Sequence, residues 1–113
     1  HDNKEESAHS FVRHFHNFYN NTVCYDKINS LDMVEQMEAL DEILATLKVI
    51  KTKNADLKAD FDRIGELARE AKENKDDPDL MNYKLLHRYF HDLDIYFNGY
   101  DYSQAWGVTT YKR

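Results

Sequence analysis

Between Ser7 and Tyr100 the chain holds one proline, Pro78, and two glycines, Gly65 and Gly99. Almost nothing in that stretch interrupts a helix, since these are the residues that end one. Along it the apolar residues recur at steps of three and four, the repeat of an amphipathic α-helix and not of a strand. The chain is therefore expected to be all-α.

The first helix is expected from about Glu5 to about Cys24, with Ala8, Phe11, Phe15, Phe18 and Thr22 as its buried stripe. Ser30 is the expected N-cap of the second, with Asp32 and Glu35 in its first turn. Its stripe reads Met33, Met37, Leu40, Leu44 and Leu47, and the pattern resumes as Leu57, Phe61, Ile64, Ala68 and Ala71. Between the two runs lies the all-polar quartet Lys51-Thr52-Lys53-Asn54. One continuous helix from Leu31 to Asn74 would span about 65 Å, twice the reach of its neighbours. A break near Thr52 to Asn54 instead gives four helices of similar length that can cover one another. Pro78 behind Asp77 starts the last helix, whose stripe is Tyr83, Leu86, Phe90, Leu93 and Phe97, and Asn98-Gly99 stops it. The expected fold is an antiparallel up-down four-helix bundle with an aromatic-rich C-terminal extension; a three-helix bundle with one long bent helix is the alternative. Residues 1–7 are expected to be a polar tether and residues 8–113 a single domain.

The tail places Tyr100, Tyr102, Trp106 and Tyr111 within twelve residues, around Gly107 and the β-favouring Val108-Thr109-Thr110. Disordered tails are poor in aromatics, so this one is expected to fold back onto the bundle. Tyr89, Tyr96, Tyr100, Tyr102 and Trp106 together form the candidate partner-binding surface, because Tyr and Trp concentrate at binding hot spots.

Charge and motifs narrow the function classes. A formal charge of −6 argues against nucleic acid and against anionic lipid surfaces. No apolar run approaches the ~18 residues of a membrane span. Cys24 is the only cysteine, which excludes an intrachain disulfide and Cys/His zinc motifs. No phosphate loop, G-x-S-x-G elbow or H-E-x-x-H occurs, so no catalytic residue and no cofactor are assigned. The carboxylates Asp60, Asp62, Glu66, Glu70 and Glu73 interleave with Arg63, Arg69 and Lys72, the pattern of a solvated ion-paired face.

Histidine is the one chemistry-bearing residue that clusters. His9, His14 and His16 fall on the first helix, His87 and His91 on the last. His87 and His91, spaced i,i+4, project from one face, and antiparallel neighbours would bring His14 or His16 to their level. Asp92 or Asp94 would then serve as ligand or orienting carboxylate. Such a site should weaken as pH falls through about 6.5, since neutral imidazole is the ligand. A carboxylate-bridged di-iron centre is excluded, because the two middle helices carry no histidine.

The leading functional expectation is a non-enzymatic module that binds another protein. The polar segment Asp2 to Ser7, following His1, resembles the start of a mature bacterial lipoprotein, with a lipid anchor upstream and display outside the cytoplasm; a cytoplasmic location is the alternative. The second expectation is a His-rich metal-binding bundle using His14, His16, His87 and His91.

Overall fold

The computed structural model describes residues 3–23, 32–50, 52–73, 80–98 and 105–111. Four helices account for most of them: α1 (Asn3–Thr22), α2 (Met33–Val49), α3 (Ala55–Glu73) and α4 (Met81–Asn98). Helix α1 packs on α4, α4 on α3, and α3 on α2, as in a four-helix bundle. His9 meets Phe97 at one end of the α1–α4 contact and His16 meets His87 at the other, so these two helices run antiparallel.

The expected break is present, and its chemistry is local. Ile50 leaves α2 in extended conformation, its N–H still donating to the Thr46 carbonyl. Thr52 Oγ1 then accepts the Asn54 amide, and Asn54 Oδ1 accepts the amides of Asp56 and Leu57 at 3.0 and 3.1 Å. Asn54 is thus a side-chain N-cap for α3. The three-helix alternative is excluded by these two caps.

Two other ends differ from expectation. The N-cap of α2 is Asp32, whose Oδ1 accepts the amides of Val34 and Glu35; Ser30 lies outside the described residues. Helix α4 begins at Met81 and not at Pro78, because Leu80 has φ 51° and a left-handed residue cannot continue a right-handed helix. The Leu80 carbonyl instead accepts the first α4 amide, from Lys84. Asp77, Pro78 and Gly99 lie outside the described residues, as does Cys24.

Inside the bundle the α3 and α4 stripes are buried as expected. The α1 stripe is broader, adding Val12, Tyr19 and, just past the helix, Val23, while Phe18 and Thr22 are half-buried. In α2 the buried face is rotated toward Gln36, Ala39 and Ile43 beside Leu40; Met33, Met37, Leu44 and Leu47 are only half-buried. The main neighbour of this helix is α3, so part of its apolar stripe sits at the rim.

Gln36 pays for that rotation: it is fully buried, with neither side-chain nitrogen nor oxygen hydrogen-bonded among the described residues. Burying an amide without partners costs about 1–3 kcal/mol. Gln36→Met, of similar shape, is expected to raise stability by about 1 kcal/mol in a urea melt with unchanged slope.

Residues 105–111 form a C-terminal strap laid on the bundle, as the aromatic tail predicted. Its Thr109 is buried and its Tyr111 ring meets Phe97 edge-on at 5.4 Å. Among the described residues no helix is long and apolar enough to cross a membrane.

Candidate functional site: a histidine cluster under a clamped strap

The strap is held by two buried carboxylates. Asp92 is fully buried on α4. Its Oδ1 accepts the Trp106 amide at 2.8 Å, and its Oδ2 accepts those of Gly107 and Val108 at 2.8 and 3.1 Å. The three successive amides converge on one carboxylate where the backbone turns through the left-handed region, a turn that Gly107 supplies with φ 78°. A Cβ at Gly107 would meet nothing within 4 Å, so the backbone angle and not space calls for glycine here.

Asp60 provides the second clamp. It is 1% exposed, and its two oxygens accept the amides of Thr110 and Tyr111, each at 2.7 Å. Burial pushes its carboxyl above the usual carboxylate range, and the two amides oppose that shift. Asp60 therefore does not belong to the solvated ion-paired face on which its sequence neighbours place it. Asp62, Glu66 and Glu70 do, pairing with Lys58 and Arg63 at the surface. Lys72 reaches across to Asp41 of α2. Such exposed pairs contribute little, about 0–1 kcal/mol each.

Beside the Asp92 clamp three imidazoles gather from two helices. The ring centroids of His16 and His91 are 5.3 Å apart, those of His87 and His91 6.3 Å, and those of His16 and His87 6.4 Å. Asp94 Oδ2 lies 2.6 Å from His16 Nδ1, and Asp92 Oδ1 lies 3.1 Å from His91 Nδ1. An ionised carboxylate only accepts, so these contacts put a hydrogen on Nδ1; in the neutral form of either ring Nε2 is then the lone-pair nitrogen. His87 is 7% exposed, and its Nε2 has no hydrogen-bond partner among the described residues. The Trp106 indole closes the cluster, stacked on His91 at 3.9 Å and edge-on to His87 at 5.6 Å.

Burial, reinforced by the neighbouring His16, His91 and Arg88, lowers the His87 pKa from 6.5 to about 4. The unfolded chain then binds a proton near pH 6.5 that the folded one refuses. Stability is unaffected by this group above pH 6.5 and falls as pH drops from 6.5 toward 4. We expect a loss of at most ~2 kcal/mol by pH 5, measured by urea melts in the presence of a chelator. His87→Gln should flatten that slope between pH 7 and 5.

Of the histidines expected near one level, His16 joins the cluster and His14 does not; His14 is exposed and rests edge-on against Phe15. Among the described residues no group of three His, Cys, Asp or Glu side chains is set to hold a metal ion as it stands. The candidate partner surface is dispersed. Trp106 is 51% exposed, Tyr89 is half-buried, and Tyr96 is buried, contrary to its expected place off the core. Tyr89, Asp92 and Tyr96 share a helical face by their spacing, and that is the face on which Asp92 receives the strap. Tyr100 and Tyr102 lie outside the described residues.

Sequence reasoning missed the two clamps. The partners of Asp60 and Asp92 are backbone amides, which leave no mark in side-chain patterns. Gly107 within an aromatic tail was the only available signal. Set against protein-family models, curated proteins and solved structures, the chain matches none of them.

Proposed function

We propose that this chain is a non-enzymatic protein-binding module that presents Trp106 to its partner. The observation that carries the reading is the way this residue is held. Half of the indole faces solvent, yet its backbone is fixed on Asp92 and its ring rests on His91. A large aromatic already immobilised before contact loses little conformational entropy on binding, which is what an interface anchor requires. The absence of nucleophile, phosphate-loop or metalloprotease motifs from the sequence is the reason for choosing binding over catalysis. The polar composition of Asp2 to Ser7, which enters α1 at Asn3, supports display outside the cytoplasm.

A photo-crosslinking side chain in place of Trp106, compared with one at the exposed Glu66 of α3, tests this in cells that produce the chain. One discrete protein adduct at position 106 and none at position 66 is the expected outcome. No adduct at 106, or the same adducts from both positions, would contradict the proposal.

A further inference from the structure

We propose that His16, His87 and His91 bind one Zn2+ ion through their Nε2 nitrogens, with Asp94 and Asp92 as the carboxylate partners of Nδ1. The proposal does not rest on the protein-binding reading. Three features of the cluster support it independently.

The first is spacing. Nitrogen ligands about 2.1 Å from a tetrahedral ion place imidazole centroids about 5 Å apart. The His16–His91 pair stands at 5.3 Å. Both distances to His87, 6.3 and 6.4 Å, are longer by about 1 Å than a tetrahedral ion requires. Among the described residues no three side chains are set to hold an ion as they stand. An ion bound here would have to draw the His87 ring toward the other two, whose Nδ1 atoms lie against Asp94 and Asp92.

The second feature is orientation. Histidines that ligate metals commonly donate the other ring N–H to a carboxylate, which fixes the tautomer and raises ligand basicity. His16 on Asp94 and His91 on Asp92 both have this arrangement. Neither carboxylate sits in a chance surface pair, since Asp92 is fully buried and Asp94 is 5% exposed.

The third is the orphan nitrogen. A buried polar atom without a partner calls for an explanation, and a bound ion is one. His87 Nε2 is such an atom, in the cluster that Trp106 covers. Three neutral imidazoles with a fourth position left for water suit Zn2+, a borderline-soft ion content with tetrahedral nitrogen ligands.

The test titrates Zn2+ alone into the chelator-treated full chain at pH 7.5, following melting temperature and the ring-proton NMR signals of the histidines. We expect saturation at one equivalent, and a rise of about 10 °C in Tm at a hundredfold excess over Kd. The ring signals of His16, His87 and His91 should shift while those of His9 and His14 stay in place. His87→Ala should weaken binding at least a hundredfold and Asp94→Asn at least tenfold, whereas His14→Ala should leave it unchanged. The ring signals of the unsubstituted chain decide the matter even if His87→Ala fails to fold. An unmoved Tm, shifts confined to His9 or His14, or equal affinity in a folded His87→Ala would overturn the assignment.

Discussion

Phe90→Ala is expected to destabilise the bundle by about 4 kcal/mol, a large part of what a domain of this size has to lose. Phe90 is fully buried on α4 and is the ring on which α1 converges. Phe11 meets it edge-on at 5.3 Å, Phe15 is tilted against it at 5.5 Å, and Tyr19 stacks at 6.0 Å. Three large rings cannot collapse into the space left by a fourth without abandoning their own contacts, so most of the cavity should persist. A urea melt should show a lower midpoint with unchanged slope. A cost below about 1 kcal/mol would mean that α1 is not packed through this ring.

Asp92→Ala is expected to cost about 3 kcal/mol, close to a core truncation although no apolar contact is removed. Three backbone amides lose a charged acceptor, and bonds to charged groups are worth about 1.5–3 kcal/mol each. The sum overstates the loss, because the freed strap can swing into water and satisfy its own amides. The effect is therefore capped by the docking energy of the strap. Release of the strap should also lift the indole off His91, so the Trp106 fluorescence of the folded variant should move toward that of solvated tryptophan. As the protein has a single tryptophan, the signal is unambiguous.

The helical frame was legible because it is written in side chains. Few breakers, four apolar stripes and a polar quartet at Lys51 to Asn54 were enough to favour four helices, and the caps at Ile50 and Asn54 exclude one long one. Spacing and antiparallel packing also brought His14 or His16 to the level of His87 and His91, and the structure selects His16. Legibility failed where backbone answers side chain. Asp60 sits in a run of alternating charges and looks solvated, yet the amides that bury it come from 50 and 51 residues away. Tyr96 looked exposed because periodicity within α4 announces one covered face only, whereas Asp92, on the side of Tyr96 by its spacing, is buried and receives the strap. In α2 the apolar stripe exceeded what one neighbouring helix could bury, and Gln36 entered the core in place of a methionine.

The central claim is that buried carboxylates on α3 and α4 fasten the strap and thereby fix Trp106 over the histidine cluster. Amide hydrogen exchange of the intact chain measures this most directly. The amides of Trp106, Gly107, Val108, Thr110 and Tyr111 should exchange at least ~100-fold more slowly than unstructured peptide, and Asp92→Ala should abolish that protection at the first three. Exchange of these five amides at the unstructured rate in the unsubstituted protein would contradict the account.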